Sequence, residues 1–168
     1  MNAREVLLEF YGRLPPLAHA AASGLDTERL ARRVDGTANP IGWLVWHAAR
    51  VQDHHVSELR GAAQLWVEGE WARRFGLAPD PSNTGYGHTP EEVAHVAPRG
   101  PADLLDYFDA VQERTVRFLE GIDEAALERI VDRRFDPPVT MGVRLVSVAD
   151  DDLQHLGQAN LLRGLLGV

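Results

Sequence analysis

This sequence predicts an all-α protein, a four-helix bundle with one long, partly ordered crossover, and three observations predict it. Apolar residues recur at spacings of three and four in four long segments. Residues that start and stop helices bracket those segments. One turn-rich connection, residues 62–100, separates the second segment from the third, the arrangement of a bundle with a crossover.

The first segment places Val6, Leu7, Phe10, Tyr11, Leu14 and Leu17 on one face. Pro15 and Pro16 kink or restart it, because proline lacks an N–H and its ring meets the preceding turn. The second segment opens at Asn39-Pro40, a capping side chain followed by proline at the first helical position, and runs to Arg60 before Gly61 stops it. Its apolar stripe is Ile41, Leu44, Ala48, Val51 and Leu59. The crossover sets Trp66, Trp71 and Phe75 around a short helix and then turns repeatedly through Asp80 to Pro90. The third helix runs from Pro101 to Gly121, with Leu104, Leu105, Phe108, Val111, Thr115, Phe118 and Leu119 on one face. The fourth starts at Met141 or Val143 and reaches Leu166, burying Leu145, Val148, Ala159, Leu162 and Leu166. Just before it there is room for a little extended structure, but Pro137 and Pro138 argue against a central strand.

At 168 residues, 45% hydrophobic and 25% charged, the chain has the composition of one ordinary globular domain. Seventeen basic residues against twenty-five acidic ones give a net charge of −8, the wrong sign for a protein that neutralises phosphates, so no nucleic-acid partner is expected. Every basic residue is Arg, which excludes Schiff-base chemistry and a P-loop lysine. The absence of Cys excludes a cysteine nucleophile, a thiolate zinc cluster and a disulfide. Arg4, Glu5 and Glu9 interrupt any apolar leader, and no stretch approaches the ~20 apolar residues of a membrane span, so a cytoplasmic protein is expected. There is no HExxH, no G-x-S-x-G and no P-loop. Gly85-Tyr86-Gly87 lacks the third glycine and the preceding strand of a dinucleotide fingerprint and reads as a turn.

Chemistry concentrates on two helices. His47 is central in the second and projects within roughly 60° of Leu44 and Val51, at or beside the core. Asp151 and His155 stand four apart on the fourth helix, on the stripe shared with Val148 and Leu162. They read either as an ordinary i, i+4 pair at the core edge or as a chelating pair completed by a histidine from a facing helix. A carboxylate with two imidazoles suits zinc, iron or nickel and leaves a coordination position open. His47 is the candidate third ligand, although alone it reads as a satisfied buried histidine. Asp152 is the alternative to Asp151, since a small error in helix phase exchanges them. His54 lies two turns from His47, ~10.5 Å, too far to share an ion but placed along the same cavity. His55 points nearer the apolar stripe and His19 follows the proline pair, while His88 and His95 read as solvated loop histidines. Arg50 and Asp53 read at least as well as surface charges, and Trp43 and Trp46 as core or dimer-interface residues.

The run from Asn39 through Trp43, Trp46, His47 and Arg50 to His55, with Asp151-Asp152-Leu153-Gln154-His155-Leu156-Gly157-Gln158 and Arg163-Gly164, resembles the DinB/YfiT-like superfamily. The likeness is strongest to an actinobacterial branch of unknown function and spans essentially the whole chain, including Gln64 to Leu77. It implies a bundle of up-down-down-up arrangement, often a homodimer, with a metal site near one end held by His47 and His155. The family's usual pattern on the fourth helix is two histidines four apart followed by Gly-Gln. Here the first position is Asp151, a harder, anionic ligand that bears on metal identity, on affinity and on whether metal is kept at all.

Characterised relatives include low-molecular-weight-thiol S-transferases and a mycothiol-dependent maleylpyruvate isomerase, and related domains accompany ergothioneine synthesis. The resemblance therefore implies a metal-dependent transferase in which a divalent metal, zinc, nickel or iron, on His47, Asp151 and His155 takes a mycothiol-like thiol cosubstrate as thiolate for attack on a small electrophile. Arg50, His54 and Arg163 are candidates to hold an acidic group of either ligand. Two alternatives stand beside it: a metal-dependent hydrolase or isomerase, and a non-enzymatic dimeric bundle that binds a small molecule or another protein.

Overall fold

The first helical segment divides where its prolines require. In the computed structural model, which describes residues 1–168, α1 spans Ala3–Tyr11 and α2 spans Leu14–Ala22. Asn2 and Glu5 close a reciprocal capping box on α1, and Pro15 and Pro16 fall in the first turn of α2, where a missing N–H breaks no helical bond. The short α3, Thr27–Ala31, is capped by Asp26 and leads through a 3-10 turn at Val34–Gly36 to α4, Ile41–Arg60. Pro40 occupies the extended N-cap position at ψ 161° and offers no side-chain cap, so α4 begins one residue later than the Asn39-Pro40 pair predicts. Gly61 ends it at φ 65°, the left-handed conformation that glycine adopts without strain.

The crossover carries three short helices where the sequence suggested one, with an irregular run between the second and the third. It holds α5 (Leu65–Glu68), α6 (Trp71–Arg74) and α7 (Pro90–His95), the last begun by a Thr89–Glu92 capping box. Its aromatic residues make it pack: Trp66 and Phe75 are fully buried, with Trp66 at 5.9 Å from Trp46 and 5.5 Å from Tyr107, ring to ring. This cover explains why α4 is buried all round from Ile41 to Arg50 and not only along its apolar stripe.

The chain continues through α8 (Pro101–Gly121), α9 (Glu124–Leu127), β1 (Ile130–Asp132), β2 (Val139–Thr140) and α10 (Met141–Leu166). The two strands pair antiparallel, Ile130 opposite Thr140, and Pro137 and Pro138 lie in the connection between them. Apart from this small hairpin the protein is all-α. Thr140 caps α10 through the Val143 N–H. α4 packs against both α10 and α8, α2 also packs on those two helices, and α1 lies along α8. Leu104, Phe108, Val111 and Leu119 from α8 meet Leu145, Val148, Leu156 and Ala159 from α10 in one core. No helix is long and apolar enough to cross a membrane.

Candidate metal centre

The packing of α4 on α10 brings His47 opposite Asp151 and His155. His47 Nε2 lies 3.8 Å from Asp151 Oδ2, and His155 Nε2 lies 3.6 Å from Asp151 Oδ1. The two imidazole rings meet edge to face with centroids 4.6 Å apart. One donor atom from each of the three residues falls within 4.8 Å of the others. His47 is buried, and Asp151 and His155 are half-buried.

Hydrogen bonds at the far edge of each ring aim these donors. His47 Nδ1–H donates to the Thr84 carbonyl at 2.6 Å, and His155 Nδ1–H donates to Gln158 Oε1 at 3.1 Å. A neutral imidazole with its proton on Nδ1 has a free lone pair on Nε2, so each neutral ring turns a base toward Asp151, and protonation of His155 puts the added proton on the Nε2 beside that carboxylate. Asp151 Oδ2 is itself buried without a hydrogen-bond partner in the protein. That oxygen faces His47 Nε2 at 3.8 Å with no proton donor, and the other carboxylate oxygen faces His155 Nε2 at 3.6 Å, a poor hydrogen-bonding arrangement for Oδ2 and a good donor set for a divalent cation. The residues therefore fit the metal that the sequence led us to expect.

Electrostatics follow the same geometry. Burial lowers the pKa of His47, its bond to Thr84 opposes this, and the nearby His155 adds to the lowering. His155 is raised, chiefly by pairing with Asp151. Burial pushes Asp151 upward, but its pairing with His155 and the charges of His155 and His47 outweigh this and hold it below its usual value. Trp43 walls the centre, stacked on His47 at 4.6 Å with its Nε1–H donated to His88 Nδ1 at 3.2 Å. Gly85 packs so close that a Cβ there would lie 2.8 Å from His47 Nδ1.

The other sequence candidates are dispersed. Asp152 is fully buried with neither oxygen hydrogen-bonded, stands outside the three-residue cluster, and is pushed well above its usual pKa by burial and then by Asp151. Arg50 is not a surface charge: it is completely buried, giving hydrogen bonds to Asp53, Tyr107, Gln64 and the carbonyls of Asn83 and Pro81, with its guanidinium over the Trp66 ring. Asp53 is buried with it and accepts from the Leu65 and Trp66 backbone. Arg163 is spent elsewhere, on the carbonyls of Ala20, Ser23 and Val168. His54 does line a cleft with His47 and Asp151. His88 is a loop residue but only half-exposed, since it stacks on Trp46 at 5.7 Å and accepts from Trp43. Sequence reasoning missed Thr84 and Gln158, the partners that set both tautomers. The Gly85-Tyr86-Gly87 turn was the one local sign that the crossover approaches another element closely.

These features define a class: a helical protein whose packed helices converge two imidazoles and a carboxylate on one point. Over residues 12–159 the sequence matches the DinB superfamily, and the chain belongs to that family. A crystal structure described as the conserved protein of locus from Enterococcus faecalis is similar throughout, at 31% identity and a TM-score of 0.90, covering 100% of this chain and 99% of that one. No curated protein matches the chain.

Proposed function

We propose that this chain is a metal-dependent enzyme on a four-helix bundle, a transferase that joins a low-molecular-weight, mycothiol-like thiol to a small electrophile. One observation carries the reading: His47, Asp151 and His155 present donor atoms within 4.8 Å of one another, with Asp151 Oδ2 buried and unpartnered. His47, Asp151 and His155 would hold zinc, nickel or iron. A metal bound there supplies Lewis acidity, which ionises a thiol of pKa ~8.5 at neutral pH.

The chain's own residues do the rest. Thr84 and Gln158 keep the Nδ1 protons of His47 and His155, which leaves both Nε2 atoms as ligands. Trp43 and the Gly85 turn close one side of the site against water. In the transfer the thiol S–H bond breaks, an S–C bond forms to the electrophile as the bond from that carbon to its leaving group breaks with its electron pair, and the thiol proton passes to solvent or to the departing group. With no Cys in the chain, the reacting sulfur comes from the cosubstrate. The proposal also takes the protein as cytoplasmic and as a homodimer, the latter supported by Val6, Val143 and Val146, which stand exposed around a groove of about 610 Å3.

Elemental mass spectrometry on untagged protein, beside His47→Ala and His155→Ala variants purified identically, tests it. Near one equivalent of metal per chain, lost in both folded variants, is expected and licenses thiol-transfer assays. Metal far below stoichiometry after reconstitution overturns the proposal.

A further inference from the structure

One turn and two turns beyond His47, α4 faces a cleft of about 420 Å3 that His47 and Asp151 share with His54, His55, Ser82 and Thr84. The hydrogen bonds behind His54 and His55 decide what these rings present to that cleft. Arg50 can only donate, and it gives Nη2 to Gln64 Oε1 at 2.8 Å. Gln64 is thereby oriented with its amide nitrogen toward His54 Nδ1, at 3.1 Å. The Pro81 carbonyl, 3.3 Å from the same Nδ1, is already occupied by Gln64 Nε2 at 3.1 Å and Arg50 Nη2 at 3.3 Å. His54 Nδ1 therefore accepts, and its proton sits on Nε2.

For His55 two groups face Nδ1: Arg144 Nη1, again only a donor, at 3.3 Å, and the Glu58 carboxylate at 3.6 Å, beyond hydrogen-bonding distance; the nearer contact makes that nitrogen the acceptor and leaves the proton on Nε2. The two rings stand edge to face with centroids 4.9 Å apart. No residue of the chain accepts from either Nε2–H. His54 and His55 are thus in the opposite tautomer from His47 and His155: one pair offers bases to a cation, the other offers N–H donors.

His54, His55 and Glu58 also place donor atoms within 4.8 Å of one another, the outline of a second cation site. Arg144 rules against it, because the His55 Nδ1 lone pair is already taken by a guanidinium. Glu58 lies on that same Nδ1 edge, 3.6 Å away, and does not compete for Nε2–H.

We propose that this part of the cleft is a substrate subsite for a carboxylate, whose two oxygens accept from His54 Nε2–H and His55 Nε2–H. The inference rests on the proposed function in one respect, that substrate lies beside His47 and Asp151. A planar carboxylate matches two neighbouring N–H donors. A phosphate dianion calls for charged donors, and Arg144 is committed to Asp132 and His55. Burial and then Arg144 lower the pKa of His55 to about 4, so at neutral pH the ring is an uncharged N–H donor. The substrate class is a small electrophile that carries a carboxylate away from its reacting atom.

Calorimetric titration of the full chain with succinate, succinamide and inorganic phosphate, before and after chelator treatment, tests this. Succinate is expected to bind both forms, with succinamide at least about ten-fold weaker. His54→Phe and His55→Phe are each expected to weaken succinate by about five-fold, one hydrogen bond, with circular dichroism and metal content unchanged. His54→Gln, which keeps an N–H, should lie between parent and His54→Phe. The subsite is overturned if succinamide equals succinate, if phosphate binds more tightly, if chelation abolishes binding, or if both phenylalanine variants bind as the parent does. Metal analysis decides the metal centre separately: a metal-free chain that binds succinate through His54 and His55 keeps this inference and loses that one, and a metal-loaded chain indifferent to succinate does the reverse.

Discussion

His47 Nδ1 lies 2.6 Å from the Thr84 carbonyl oxygen, a hydrogen bond that ties the middle of α4 to the crossover covering it. The bond fixes which nitrogen of His47 faces Asp151, so the ordered crossover is part of the site and not merely its lid.

The next residue makes that contact testable. Gly85 has φ +93°, and a Cβ there would fall 2.8 Å from His47 Nδ1, 2.9 Å from Trp46 and 3.0 Å from Trp43. Gly85→Ala strains the backbone and wedges the loop away from His47. Metal affinity, measured by competition with a chromophoric chelator, is expected to fall about 10- to 100-fold, the usual effect of losing an outer-shell partner. Affinity equal to the parent's would show that Thr84 does not orient the ring.

Arg50 predicts a stability effect with no direct contact to the metal centre. Its guanidinium and the Asp53 carboxylate are both buried, with Tyr107 OH donating to Asp53 Oδ2 at 2.8 Å. Arg50→Met leaves Asp53 charged, buried and short of a partner, and is expected to cost about 3–5 kcal/mol in urea unfolding at pH 7. Adding Asp53→Asn should recover part of that loss. A loss under about 1 kcal/mol in the single variant would mean that the crossover packs independently of this pair.

The contrast between helices and crossover shows what the sequence could reveal. Helical periodicity is a local property, so Pro101, Gly121 and Gly61 marked boundaries that the structure keeps. The meeting of His47 with Asp151 and His155 was legible because i, i+4 spacing shares a face and His47 is central in the facing helix. The burial of Arg50 and the packing of His88 on Trp46 went unseen because both depend on long-range contacts with the crossover, which no periodicity encodes. The choice between Asp151 and Asp152 turned on about half a residue of helix phase, roughly 50°, finer than a helix read from sequence allows.

His55 gives a pH dependence with a definite sign. Burial first, and Arg144 second, lower its pKa to about 4 in the folded protein. The folded state then binds less proton than the unfolded chain, whose histidine titrates near 6.5. Stability from this group is complete above pH ~6.5 and declines as pH falls toward 4, by at most about 1.4 kcal/mol per pH unit. Urea unfolding at intervals from pH 7 to 4.5 should show this slope in the parent and a shallower one in His55→Gln. Equal slopes would place the titration elsewhere.

Asp151 and Asp152 are adjacent in sequence and opposite in environment, and one pair of variants separates them. Asp151 stands between His47 and His155, held below its usual pKa by His155 once the upward pull of burial is overcome. Asp152 faces the core with no partner at either oxygen, so burial keeps it a neutral acid. An amide replaces a neutral acid with little change of size or charge. Asp152→Asn is therefore expected to keep its metal and to unfold within about 1 kcal/mol of the parent at pH 7. Asp151→Asn exchanges the anionic ligand for a weak neutral one and should lose most of its metal while remaining folded. Elemental analysis and urea unfolding on the same two preparations read both effects. Metal lost from Asp152→Asn and kept in Asp151→Asn would reverse the assignment and move the ligand one position along α10.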